Sequence, residues 1–182
     1  MPLTWTWYRF SDFDSAALYA YLKLRQDVFV VEQNCVYGDL DDLDQPSWHL
    51  LGRDAAGQVQ AALRLVPPGL KYDTPSLGRV VVAAAARKGG TGSALVAEGL
   101  AQSGRLYPGL GNRIGAQAHL QRFYGALGFV TVSAQYDEDG IPHVDMDWLP
   151  APEYTARLPC ARSRRTSMLL RRRNSPRLHA PA

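Results

Sequence analysis

The segment that most restricts the fold is 77–103. A Val-rich run, Leu77 to Ala83, leads into Arg87-Lys88-Gly89-Gly90-Thr91-Gly92-Ser93, and Leu95, Val96 and Leu100 then recur at helical spacing. A strand that passes through glycines into a helix leaves the amides of the first helical turn without partners. It also sets them beside backbone with no side chain to obstruct a ligand. Such a turn suits an anion, because the helix dipole adds about 0.3–1 kcal/mol and Arg87 and Lys88 supply charge-assisted contacts. Phosphate is the natural occupant. Two common phosphate patterns fail on the residues: a Walker A loop needs Lys-Ser/Thr after the second glycine, where Ser93-Ala94 stands, and a dinucleotide fingerprint needs Gly or Ala at Leu95.

The other elements follow from periodicity. Thr4 to Phe10 alternates like a strand, and 14–30 carries Ala17, Leu18, Tyr21 and Val28 at helical spacing behind a Ser11, Asp14 or Ser15 cap. Asn34 to Pro46, with Asp39, Asp41, Asp42 and Asp44, reads as a loop. Trp48 to Arg53 and Gln58 to Val66 read as a hairpin, and Arg113 to Gln117 as a strand. His119 to Leu127 reads as a short helix stopped by Gly128, and Phe129 to Tyr136 with His143 to Leu149 as a last hairpin. The order β α β β β α β α β β predicts an α/β (α+β) domain with a mixed, mostly antiparallel twisted sheet flanked by helices.

Charge divides the chain. Residues 1–150 hold 12 Lys and Arg against 16 Asp and Glu, net −4, whereas 151–182 hold eight Arg and only Glu153 as an acid, net +7. The pI near 9.0 therefore belongs to the tail, and the domain is not expected to bind nucleic acid. The expected boundaries are one domain over 1–150 and a disordered Arg- and Pro-rich tail over 151–182, either an accidental extension or a charged appendage. The longest apolar run, Val80 to Ala86, is far below the ~20 residues of a membrane helix, and the N-terminus does not resemble a secretory signal. With only Cys35 and Cys160, no disulfide framework is expected and the cytoplasm is the expected location. The scattered histidines and the absence of Cys-x-x-Cys or His-Glu-x-x-His argue against a metal site.

Arg87-x-x-Gly90-x-Gly92 after a strand, with Phe123-Tyr-Gly-Ala-Leu-Gly-Phe129 about thirty residues on, resembles the paired motifs of the GNAT acyltransferases. Leu24 to Cys35, Gly115-Ala-Gln-Ala-His119 and Glu138 to His143 resemble its ElaA-like branch, and the likeness spans 3–149. It implies the GNAT fold and an acetyl-CoA-dependent N-acetyltransferase that acts on a primary amine by direct attack. The acceptor is a small-molecule or protein amine, with a homodimer as one open assembly state. The alternative is a non-catalytic acyl-CoA-binding or sensor module on the same fold.

The resemblance implies that Arg87, Lys88, Gly89, Gly90, Thr91, Gly92 and Ser93 cradle the pyrophosphate. A backbone amide within Arg79 to Val82, hence Val80, Val81 or Val82, would meet the oxyanion. Tyr124 matches the general acid toward the departing thiolate, since a phenol of pKa ~10 carries its proton at pH 7. Glu32, at the end of helix 1, is the first candidate for the base that frees the amine, with His119 and His143 as alternatives. The Asp39–Asp44 loop reads either as a solvated loop or as an attractant for a cationic amine. Cys35 reads as a buried thiol rather than a nucleophile paired with His49.

Overall fold

Trp5 and Trp7 alternating with threonines make β1 (Thr4–Arg9), which pairs in sequence with β2 (Trp48–Arg53), β3 (Val59–Val66) and β4 (Ser76–Val82) in an antiparallel sheet. This computed structural model describes residues 2–150, so the tail and Cys160 lie outside the described residues. Apolar side chains on both faces of β3 are covered. Leu63 and Leu65 pack with Leu95, Val96 and Leu100 of α2 (Thr91–Leu106), and Ala62 packs with Tyr21 and Leu24 of α1 (Ser15–Arg25). At Gly99 a Cβ would lie 2.8 Å from Leu63 Cδ2, so glycine is what lets α2 approach the sheet.

The Asp14 carboxylate caps α1 by accepting from Ala17 N–H at 2.7 Å. The helix does not run to Val30 as one α-helix. At Gln26–Glu32 it widens into a π-helical turn, a form frequent at functional sites, and this turn carries Phe29 and Glu32 toward the cleft described below.

The second sheet has β5 (Asn112–Gln117) against β8 (Ile141–Trp148), with β6 (Val130–Thr131) and β7 (Tyr136–Glu138) pairing along β8. The expected continuous arm Phe129–Tyr136 is broken because the Ser133 hydroxyl accepts from Asp145 N–H at 2.8 Å, in place of a backbone carbonyl. The expected helix 119–127 is a 3₁₀ turn, Ala118–Leu120, followed by α3 (Gln121–Gly125).

The two sheets are tied where β4 and β5 begin. Arg113 N–H donates to Pro75 O at 3.1 Å, and Leu77 N–H donates to Asn112 Oδ1 at 3.0 Å. Further along, Leu77–Val80 and Ile114–Gln117 line a cavity between the two strands instead of pairing. This divergence creates the site.

Candidate active site

The glycine turn takes the form its composition requires. After a 3₁₀ turn at Ala84–Ala86, Gly89 (φ +91°) and Gly90 (φ +82°) adopt left-handed backbone, and Gly90 caps α2. Ala94 N–H bonds back to Gly90 O at 3.0 Å, so the amides of Thr91, Gly92 and Ser93 precede that first helical bond. A Cβ on Gly90 would meet nothing within 4 Å. The turn thus offers open space, unpaired donors and the positive end of a 16-residue helix, which fits a pyrophosphate.

An open cleft of about 800 Å³ runs over this turn, lined by Val80, Val81, Val82, Arg87, Gly90, Gly92 and Ser93 and faced by Phe123 and Tyr124. Lys88, Gly89 and Thr91 belong to the turn without lining the cleft, and Lys88 is exposed. The Arg87 guanidinium is committed. Its Nε–H donates to Val82 O at 3.0 Å, and its two terminal nitrogens grip Glu32 Oε1 and Oε2 at 2.6 and 2.7 Å. It braces the end of β4 against the π-helical turn.

That fork bears on Glu32, the residue expected as the base. The Arg87 hydrogen bonds, aided by its charge, hold the Glu32 carboxyl below the usual carboxylate range, and both oxygens are engaged. Its proton affinity has moved the wrong way for a base.

The cavity between β4 and β5 has a volume of about 150 Å³ and adjoins the cleft. Tyr124 and Val80 are among seven residues that line both the cavity and the cleft. Tyr124 is buried edge-on against Phe123 (centroids 4.9 Å) and Phe129 (5.6 Å), and its hydroxyl has no hydrogen-bond partner among the described residues. Burial pushes the phenol up to about 12, so it keeps its proton throughout the neutral range.

His143 also lines the cavity. Its Nδ1 lies 2.8 Å from Ile141 O, and a carbonyl only accepts, so Nδ1 carries a proton and the lone pair of the neutral ring resides on Nε2. His119 is exposed at the cleft. Cys35 is buried with Sγ 3.5 Å from Asp139 O, whereas His49 is held elsewhere, between the Tyr21 hydroxyl (3.1 Å) and Asp44 O (2.9 Å). They form no nucleophile pair.

The acidic loop is exposed along much of its length, Asp41 and Asp42 included, but three of its four carboxylates are held by arginines. Arg25 holds Asp39 Oδ2 at 2.9 Å and Asp44 Oδ1 at 2.7 Å, Arg64 holds Asp41 and Asp44, and Arg79 holds Asp39 and Asp41. Arg25, Asp44, Arg64 and His49 are buried. Sequence reasoning missed all three arginines, whose acidic partners lie 14 to 40 positions away.

β4 carries a further feature. Ala62 pairs with Val81 and Arg64 with Gly78, so Arg79 and Val80 together oppose Leu63, which is a β-bulge. Gly78 inside a Val-rich strand was the available signal for it. The bulge lines the cavity, and Val80 continues into the cleft.

The acetyltransferase (GNAT) domain family matches residues 30–150. The chain is 47% identical to the UPF0039 protein sll0451 of Synechocystis over 146 residues, covering 80% of this chain and 95% of that protein. It is 38% identical to Protein ElaA of Escherichia coli, covering 79% and 95%. Among solved structures, an acyl-CoA N-acyltransferase from Pseudomonas aeruginosa has a TM-score of 0.76 at 42% identity, covering 80% of this chain and 99% of that one. Escherichia coli ElaA has a TM-score of 0.75 at 36% identity, with the same coverage.

Proposed function

The chain belongs to the GNAT acetyltransferase family, and from that premise we propose that it transfers the acetyl group of acetyl-CoA to a primary amine by direct attack. The observation that supports this most is the placement of Tyr124, which lines both the cleft over the glycine turn and the cavity between β4 and β5. A donor bound in the cleft and an amine in the cavity would meet at that residue.

In this reading the amides of Thr91–Ser93, with Gly89 and Gly90 keeping the approach clear, hold the pyrophosphate. The bulge at Arg79–Val80 supplies a backbone N–H to the thioester oxygen as charge develops there. His143 Nε2 takes the proton from the ammonium, freeing its lone pair for attack on the carbonyl carbon. As the C–S bond breaks, Tyr124 gives its hydroxyl proton to the thiolate, and its phenolate recovers a proton from the attacking nitrogen, which leaves the neutral amide. Glu32 is the counter-ion of Arg87 and takes no part in proton transfer.

The activity is assigned to the domain 1–150, acting in the cytoplasm, as a monomer or homodimer. No helix among the described residues is long and apolar enough to cross a membrane. The acceptor is a small-molecule or protein amine. The test is calorimetric titration of acetyl-CoA together with turnover against an amine panel, for wild type and Tyr124→Phe. The phenylalanine variant is expected to bind acetyl-CoA normally and to lose about 10²–10⁴ in kcat. Binding without turnover by the wild type would favour the non-catalytic acyl-CoA sensor instead.

A further inference from the structure

Arg79 has φ +48° in the middle of β4, a left-handed conformation that side chains other than Asn and Asp rarely adopt. Such strain persists where the surroundings over-determine it. Here they do. The guanidinium Nε lies 2.7 Å from Asp39 Oδ1, its Nη2 donates to Asp39 O at 2.9 Å and to Asp41 Oδ2 at 3.1 Å, and the group sits 5.6 Å from the Tyr37 ring centroid. The anchor is itself fixed, because the other oxygen of Asp39 is held by Arg25, a fully buried residue that also binds Asp44.

We propose that Arg79 is a positioning residue. Its side chain, clamped by Asp39 and Asp41, holds the β4 bulge in the left-handed conformation that aims a flanking peptide N–H at the acyl carbonyl. The proposal rests on the acyl-transfer reading above and assigns a task to the acidic loop: it anchors the backbone donor and leaves amine binding to other groups. Three observations converge on it: the positive φ, the extra residue in the β3–β4 register, and the ion pairs that end on this one residue of the bulge.

The test separates backbone conformation from charge. Arg79→Gly and Arg79→Ala both remove the clamp, but only glycine tolerates the left-handed backbone without it. The first readout needs no acceptor: the infrared carbonyl band of acetyl-CoA carrying ¹³C at the thioester carbon, free and bound. Wild type is expected to shift the band to lower frequency, Arg79→Gly to keep most of the shift, and Arg79→Ala to lose it with little change in Kd. With any amine that the wild type acetylates, kcat is expected to fall at least about tenfold further for Arg79→Ala than for Arg79→Gly.

Equal loss in both variants, or retention in both, overturns the proposal. Should Arg79→Ala fail to fold, Arg79→Asn and Arg79→Gln carry the same amide and differ in tolerance of the left-handed region. Asn is then expected to outperform Gln, and the reverse order overturns the clamp. A wild type that neither binds acetyl-CoA nor shifts its band removes the acyl-transfer reading itself, a result distinct from any ranking among the variants.

Discussion

The glycine turn 87–93 and the acidic segment 34–46 are both tied to β4, and they are stabilised in opposite ways. The turn presents backbone: two left-handed glycines, a helix end and open space, with the Arg87–Glu32 ion pair at the surface. The acidic segment is held by side chains, with Asp39, Asp41 and Asp44 distributed over Arg25, Arg64 and Arg79 beside buried His49. A ligand surface made of backbone donors contributes little to folding and is free to serve binding. A wall made of desolvated charges is stable only while every partner is present, and so it fixes whatever leans on it.

The largest expected effect follows from removing a partner. Arg25→Ala leaves Asp44 buried and Asp39 half-released, and truncating one member of a buried pair costs about 3–5 kcal/mol, read as a lowered urea midpoint. A loss below about 1 kcal/mol would mean that the network behaves like surface ion pairs, and the comparison would break. The turn is expected to show the complementary pattern. In Gly90→Asp a carboxylate enters the space suited to a pyrophosphate, while aspartate tolerates the left-handed backbone. Acetyl-CoA binding is expected to weaken about 100-fold by calorimetry with the urea midpoint nearly unmoved. A midpoint that falls as far as that of Arg25→Ala would show that the turn, too, carries the fold.

Acid separates the two regions further. Burial lowers His49 to about 4 from an ordinary value near 6.5, so the unfolded chain binds the proton first. The stability His49 contributes is complete above pH 6.5, declines as the pH falls toward 4, and amounts to about 3 kcal/mol. Asp41 behaves likewise at lower pH. Burial opposes its ionisation, but the Arg64 hydrogen bonds and the charges of Arg64 and Arg79 prevail and bring it to about 2. His49→Gln is expected to flatten the fall in unfolding midpoint between pH 6.5 and 4. An unchanged slope would place the acid sensitivity outside this network.

The same contrast explains what the sequence made legible. The glycine turn, α2 and Phe123–Phe129 were readable because each works through neighbours in sequence, with periods and turn residues that composition records. The role of Arg25, Arg64 and Arg79 was not, because an arginine's partner is chosen by the fold and no local pattern ties Arg79 to Asp39. The bulge was half-legible in Gly78. Glu32 shows the same limit: its position after Val-Phe-Val-Val marked it as unusual, but only the approach of Arg87 across 55 positions reveals its partner.

The counter-ion role proposed for Glu32 gives the smallest predicted change. Glu32 and Arg87 pair at the surface, where an exposed bridge adds little to stability, so Glu32→Gln is expected to leave the urea midpoint nearly unmoved. Loosening the brace on the end of β4 should raise the KM for acetyl-CoA by about two- to fivefold through the adjoining turn. The pH dependence of kcat decides the role. A general base that is removed takes with it about 10²–10⁴ in rate and the acidic limb of the profile. A counter-ion that is removed leaves that limb where it was, and His143→Gln, which removes the proposed base, is then the variant expected to lose the larger part of kcat. Loss of the limb in Glu32→Gln alone would return the base to Glu32 and require Arg87 to release it when the amine binds.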